Sequence, residues 1–241
     1  VSGDPIRNER AMLIESALVL SDLHIGVEYE LERKGIRVPS QWKAMADEVL
    51  RLKEKSGAKD LVINGDLKHG IPSSKWEMRD IRLFMDEIEG QFREIHIVKG
   101  NHDGNIEKAL PEWVEIHDGS GFLIGDYGIL HGHAWPSEEL DDAEVLVIGH
   151  THPAVAFIDS LGNSHKEPCW IRGKYGEKEI IVMPAMNRFY GGSPINEDLL
   201  GPLLNSEEFD RENADIYLLD GTYLGKIEKI KKRGDGPSEV G

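Results

Sequence analysis

The sequence predicts an α/β protein of one domain, in which two β-sheets pack together and helices lie outside. Three observations carry this expectation. Over the first hundred residues, short apolar runs alternate with segments of helical period. From about residue 113, apolar runs follow one another closely with Gly or Asp turns between them, which is hairpin spacing. Runs from both halves also end in small clusters of Asp, His and Asn, so both halves deliver polar groups to one place.

Residues 12–20 form an apolar run broken by Glu15 and Ser16, read as a hairpin whose second strand leads into Ser21-Asp22-Leu23-His24. Residues 28–38 are charged and read as a loop or short helix. Pro39-Ser40 opens a helix with Trp42, Met45, Ala46, Val49 and Leu52 at the helical period, and Gly57 stops it. A strand at 60–64 follows, making 17–64 a strand, helix, strand unit. Its apolar run Leu61-Val62-Ile63 stops at Asn64-Gly65-Asp66, which reads as a buried strand delivering a carboxylate at its carboxyl end.

The pattern repeats in a helix over 74–89, with Trp76, Ile81, Phe84, Met85 and Ile88 on its apolar side, and a strand at 94–98 that ends at Lys99-Gly100-Asn101-His102-Asp103. The second half holds strands within 122–130, at 145–148, 154–158 and 180–183, and a closing hairpin of 216–219 with 223–230. Residues 191–213 read as a long loop and 234–241 as a frayed tail. The whole of 1–241 is read as a single domain.

A chain of 241 residues buries a core without staples. Cys169 is the lone cysteine, which excludes an intramolecular disulfide and fits a reducing compartment. No apolar run approaches the ~20 residues that span a bilayer, so the expected location is the cytoplasm with no membrane partner. The first residue is Val1, as in a processed or trimmed chain. A net charge of −16 argues against broad phosphate-backbone binding, which Lys and Arg drive by releasing counterions. It leaves open a phosphate substrate held at a local positive site, above all one made by metal ions.

The clusters at the strand ends are Asp22-Leu23-His24, Gly65-Asp66, Gly100-Asn101-His102-Asp103, His131-Gly132-His133 and Gly149-His150-Thr151-His152. Alternation along an extended chain predicts that Asp22 with His24, and His150 with His152, face one point. Oxygen and imidazole ligands without thiolate suit manganese, iron, zinc, cobalt or nickel. About seven such ligands exceed what one first-row ion takes and suit two. Two ions ~3.5–4 Å apart need a bridge, and the Asp66 carboxylate is the expected one. A lone Gly-Asp is usually a turn and a lone His-Gly-His usually a loop; the ordered set of clusters is what outweighs these readings.

In that order the motifs resemble the signature of the calcineurin-like metallophosphoesterase superfamily. Leu-His-Ile-Gly at 23–26, Gly-Ile-x-Val-Pro at 35–39, and Pro-Ala-Met-Asn with Gly-Gly within 184–192 are similar to a narrower subgroup, the archaeal ICC-like phosphoesterases and a bacterial nuclease associated with a DNA ligase. The resemblance implies a four-layer αββα sandwich of two mixed sheets flanked by helices. It implies that Asp22, His24, Asp66 and His152 hold one divalent ion and Asp66, Asn101, His131 and His150 a second, with manganese first and iron, zinc, nickel, cobalt or magnesium as alternatives. His102 would then serve the leaving group and Asp103 would orient it. The implied reaction is hydrolysis of a phosphoester, most of all a phosphodiester, by metal-activated hydroxide.

Many members carry a second aspartate three residues after the one at Asp66, and here that position is His69, after Lys68. Either side chain could contact substrate phosphate, though a solvated or hydrogen-bonded loop residue is the commoner case, and His69 lies outside the matched positions and reads as structural on that ground. His133, Arg188 and Tyr190 are further candidates for substrate contact, and Trp135 for lining the cleft. His96, His117 and His165 read as structural, Trp42 and Trp76 as helix packing, and the basic run from Lys226 to Arg233 as solvated. The substrate could be a nucleotide, a nucleic acid or a cyclic or small phosphodiester. The rival from another class is a metal-binding scaffold without catalysis, which need not keep every ligand or His102.

Overall fold

The apolar runs become two sheets facing one another in a computed structural model that describes residues 3–158, 163–189, 192–195 and 199–230. The first sheet holds β1 (Asp4–Pro5), β2 (Ala11–Ile14), β3 (Ala17–Leu20), β4 (Asp60–Asn64), β5 (Ile95–Val98) and β6 (Glu115–His117) in that spatial order. Strands β3 to β6 run parallel, while β1 to β3 pair antiparallel. The helices α1 (Val27–Arg33), α2 (Trp42–Ser56) and α3 (Lys75–Ile88) belong to this half.

Parallel strands covered on both faces read as continuous apolar runs. That is the pattern of β4, in which every residue is buried. Leu61 and Ile63 pack with Val49 and Leu52 of α2 and Phe84 of α3 in one core layer. Val62 points the other way, into an inter-sheet layer with Val19 and Val98 from its own sheet. Burial of this kind stabilises by roughly 1.5–3 kcal/mol per large aliphatic side chain, so β4 is fixed from both sides. Helix α2 stops at Gly57, whose φ of 70° a residue with a Cβ adopts reluctantly.

Strands β7 (Phe122–Ile124), β8 (Tyr127–Ile129), β9 (Val145–Ile148), β10 (Pro153–Ile158), β11 (Ser164–Tyr175), β12 (Lys178–Val182), β13 (Ser193–Pro194), β14 (Asp215–Leu218) and β15 (Tyr223–Lys226) form the second sheet. Its path is β13-β10-β11-β12-β9-β8-β7, with β14 paired to β11 and β15. Phe122, Ile129, Val147, Trp170, Ile181 and Met183 are its contribution to the inter-sheet layer. Among the described residues its outer face is covered by Leu199, Leu203, Leu204 and Phe209, on short 3-10 turns and loops, with the three α-helices all on the first sheet's side. The two-sheet architecture expected from the sequence is present, with few helices flanking it.

Some particulars differ. Trp76 is 62 % exposed, and the buried face of α3 runs through Glu77, Asp80, Ile81, Phe84, Met85 and Ile88. Apolar period placed Ile81, Phe84, Met85 and Ile88 on the buried face and erred at Trp76 alone; Glu77 and Asp80 join that face for polar reasons, since Glu77 accepts the His69 amide and Asp80 accepts the Tyr29 and Ser40 hydroxyls. The twelve-residue β11 was not expected from its charged sequence. The stretch read as a long loop contains β13 and a 3-10 turn at Leu203–Asn205, and Leu199, Leu203, Leu204 and Phe209 anchor it to the core. Tyr190, Lys231, Lys232, Arg233 and the tail at 234–241 lie outside the described residues.

Candidate metal centre

The centre is built where chain segments leave the carboxyl ends of β3, β4, β5 and β9. Five of its side chains sit on left-handed backbone: Asp22 (φ 57°), His24 (46°), Asp66 (48°), His150 (63°) and His152 (46°). Such conformations cost of order 1–3 kcal/mol each for non-glycine residues and persist where the surroundings impose them. This corrects the expectation that strand alternation makes Asp22 and His24, or His150 and His152, face one point. The chain has left the extended region by then, and convergence comes from tight turns.

The turns are fixed by bonds between motifs. The Asp22 amide donates to the Gly65 carbonyl (3.1 Å), the His24 amide to the Asp66 carbonyl (2.8 Å), and the Gly149 amide to the His131 carbonyl (3.0 Å). Close approach demands glycine at two of the junctions. A Cβ on Gly65 would stand 2.1 Å from His131 Nδ1, and one on Gly100 would stand 2.1 Å from Asp66 Oδ1.

Ligand atoms of Asp22, His24 and His152 lie within 4.8 Å of one another, as do those of Asp66, His131 and His150. The groups are joined: Asp66 Oδ2 is 3.8 Å from His24 Nε2 and 3.4 Å from His131 Nε2. His131 Nδ1 donates to the Asn64 carbonyl (3.1 Å), which turns Nε2 toward the carboxylates. His133 is half-buried with its ring 5.2 Å from that of His131, outside both groups. Asn101 is exposed in the turn that follows β5.

The centre asks for positive charge. Asp22 Oδ1 and His131 Nε2 are buried and have no hydrogen-bond partner. His152 Nε2 lies 2.9 Å from that Oδ1 but without hydrogen-bond alignment. Burial opposes charge on both carboxylates, yet the imidazole of His152 beside Asp22, and that of His131 beside Asp66, hold them below the ordinary range, Asp66 at about 2. Burial likewise opposes charge on His131, yet the Asp22 and Asp66 carboxylates carry it to about 9. Burial pushes His24 down to about 3 and His150 down to about 4, which keeps both imidazoles neutral and available as ligands. Orphaned buried atoms, two ionised carboxylates and neutral imidazoles fit divalent cations.

His102 and Asp103 do different work. The His102 amide donates to Asp66 Oδ1 (2.9 Å), and its ring Nδ1 faces the His69 carbonyl at hydrogen-bonding distance. Asp103 was expected to orient that ring. Instead its buried carboxylate accepts the amides of Gly100 (2.8 Å) and Lys68 (3.1 Å), clamping the second motif to the third. Lys68 is buried, its ammonium donating to the carbonyls of Gly70 (2.9 Å) and His102. Arg188 is exposed, with Nη2 3.4 Å from Glu48 Oε1, and Trp135 is exposed.

His69 is buried in the centre. Its Nδ1 is 3.4 Å from His24 Nδ1 and its Nε2 2.6 Å from Glu30 Oε2. The chain Glu30, His69, His24 is a carboxylate–imidazole arrangement behind a candidate ligand, the type that sets tautomer and ring orientation. Sequence reasoning reached Glu30 only within the charged stretch beside the first motif, as a segment that could shape the entrance, and gave no role to Asn64 or Asn187. Asn64 Nδ2 donates to the carbonyls of Leu130 (2.9 Å) and Val147 (3.2 Å), tying the sheets together below His131, while Asn187 Nδ2 donates to the Leu23 carbonyl (2.8 Å). The Pro-Ala-Met-Asn stretch was the only signal for Asn187.

Residues 16–218 match the calcineurin-like phosphoesterase family. No match is found among curated protein sequences. Among solved structures, the chain is similar to nuclease MPE of Pseudomonas putida, at 18% identity over 91% of this chain and 98% of that one, with a TM-score of 0.59. It is also similar to Yfce, a phosphoesterase from E. coli, at 20% identity over 87% of this chain and 97% of that one, with a TM-score of 0.41.

Proposed function

The chain belongs to the calcineurin-like phosphoesterase family, and we propose that within it the protein is a phosphodiesterase, with a nuclease as the leading form, working with two divalent ions. The observation that carries this reading is Asp66, whose Oδ2 stands between His24 and His131 at 3.8 and 3.4 Å while the buried Asp22 Oδ1 and His131 Nε2 lack hydrogen-bond partners. Asp22, His24, Asp66 and His152 would hold one ion and Asp66, Asn101, His131 and His150 the other, manganese being the first choice for this mixed oxygen and nitrogen set. Such ions, when bound, neutralise phosphate oxygens and lower the pKa of water.

The chain's own residues would do the rest. His102, partly exposed and held through Nδ1 by the His69 carbonyl, keeps Nε2 for a proton at the leaving oxygen. Lys68 and Asp103 hold the loops that present it. His69 acts through His24. Cys169 is buried and its thiol is pushed up by burial, so it offers no nucleophile. Its reduced state fits the cytoplasm, the proposed compartment. No helix among the described residues is long and apolar enough to cross a membrane.

The nuclease form rests on the motifs at 23–26, 35–39 and 184–192; cyclic or other small phosphodiesters are the alternative substrates. A scaffold without catalysis is disfavoured by the complete ligand set with His102. The test is hydrolysis of bis(p-nitrophenyl) phosphate with manganese. Asp66→Asn should lower the rate by at least ~10³-fold, and His102→Ala by ~10²-fold or more, the range that general acid catalysis supplies. Variants that keep wild-type rates would sink the reading.

A further inference from the structure

Next to the metal centre the charge of this acidic chain changes sign. Arg10, His152, Lys166, Ala185, Arg188 and Gly192 line a cavity of about 80 Å³ that has no carboxylate in its wall among the described residues. His152 is the shared wall, facing Asp22 on one side and the cavity on the other. At ~30 Å³ per water the space suits one small oxyanion.

The cations are held in place. Arg10 Nη1 donates to the carbonyls of Ala185 (3.0 Å) and Asn187 (3.1 Å), the loop that also carries the Asn187 amide to the Asp22 carbonyl (3.2 Å). Pinning that loop uses Nη1, which leaves Nε and Nη2 of the guanidinium as further donors toward the cavity wall that Arg10 lines. Lys166 Nζ spends one donor of its three on the Gly192 carbonyl (3.0 Å). Burial and the neighbouring Arg188 both depress the basicity of Arg10, with Glu167 opposing. Arg10 is partly buried, Lys166 and Arg188 are exposed, and Arg188 also meets Glu48; guanidinium with ammonium is the donor set for phosphate.

We propose that this cavity is a subsite for a second, non-scissile phosphate of the substrate, seated while the scissile diester lies at the Asp/His centre. The proposal rests on the phosphodiesterase reading and narrows it: the preferred substrate is an oligonucleotide or another diester with a neighbouring phosphate, ahead of any compound with one phosphate alone.

The experiment compares a dinucleotide carrying a terminal phosphate, at the 5′ or the 3′ end, with the unphosphorylated dinucleotide, using the metal-loaded protein. Wild type should favour one phosphorylated form by about tenfold in kcat/KM, the scale of one charge-assisted contact. That ratio should collapse toward one in Lys166→Glu and fall in Arg10→Lys. Lys166 is exposed, so its variant reads the subsite even where an Arg10 change disturbs the 185–187 loop. No preference at either end in wild type, or a preference kept in both variants, overturns the subsite. Inorganic phosphate that binds more weakly to Lys166→Glu, with no preference between dinucleotides, would make the cavity a free-anion site and also overturn it. Should no diester be cleaved, the phosphodiesterase reading falls by itself. Calorimetry with the intact dinucleotides then decides the subsite: tighter binding of a phosphorylated form, lost in Lys166→Glu, sustains it, and equal affinity overturns it.

Discussion

Two histidine clusters stand at the rims of the two-sheet sandwich, and they are built from the same residue types to opposite ends. In the centre around Asp66 the carboxylates are buried, two ligand atoms lack partners, and five side chains hang on left-handed backbone. In the other cluster, His96, Glu115 and His117 at the edge formed by β5 and β6, the ligand atoms also lie within 4.8 Å of one another. There, however, Glu115 is 65% exposed, none of the three residues has a positive φ, and His96 Nδ1 already meets His117 Nε2 at 3.0 Å. The His117 ring stacks on Phe122 with centroids 3.7 Å apart. A cavity of ≈810 Å³, about ten times the volume of the one beside His152, opens beside this second cluster. Neither cavity size nor histidine count therefore marks the metal centre. Two buried carboxylates on left-handed backbone do, one of them with an oxygen that lacks a hydrogen-bond partner, because they are costly unless a cation joins them.

The strongest way to break the contrast is to count ions. After purification and dialysis with manganese, wild type should retain about two ions per chain, and Asp66→Asn should lose at least one, since in the proposed arrangement both ions would share that carboxylate. The double variant His96→Gln with His117→Gln should keep both ions and nearly full activity. Chelation should remove activity, and added metal should restore it. An ion lost from the double variant, measured by elemental analysis, would place the second cluster in the same class as the first.

A smaller effect sharpens the first cluster from behind. If Glu30 and His69 orient His24, then His69→Ala or Glu30→Gln should weaken metal binding by ~10–100-fold, the usual cost of losing such a partner. The loss of rate should be largely recovered at saturating metal. A fall in kcat that excess metal cannot repair would instead put His69 in contact with substrate.

Much of this was legible in the chain, and the unread parts share a cause. Gly57 ended α2 where expected, and the β4 run pointed to Asp66 because a parallel strand needs apolar residues on both faces. The motifs were visible because four of the five place chemistry beside glycine. What period and propensity could not show is any residue whose task is set by tertiary neighbours. Glu77 took the place that apolar period gave to Trp76, since His69 needs its amide bonded. Asn64 reads as a strand end until the second sheet presents the Leu130 carbonyl. Asp22 and His24 looked like alternating strand residues because nothing local announces a left-handed turn at Asp or His. Strand β11 was hidden by Lys166, Glu167, Arg172 and Lys174, polar residues that a sheet tolerates where its faces meet solvent.

The smallest predicted effect concerns the second cluster alone and depends on the sign of one shift. Burial holds the pKa of His117 below its ordinary 6.5, and His96 adds to this, while Glu115 and Glu139 oppose. A depressed folded-state value means that the unfolded chain binds the proton more readily. The stability this neutral imidazole supports is therefore present above about pH 6.5 and is lost as pH falls toward the folded-state value. In His117→Phe, where a ring still lies against Phe122, the melting temperature should fall less steeply than that of wild type between about pH 6.5 and 5, by on the order of a few °C. The comparison is of slopes, so a packing change that moves the whole curve does not confuse it. Parallel curves for the two proteins would mean that His117 titrates freely, and that its contact with His96 and Phe122 does not hold it neutral.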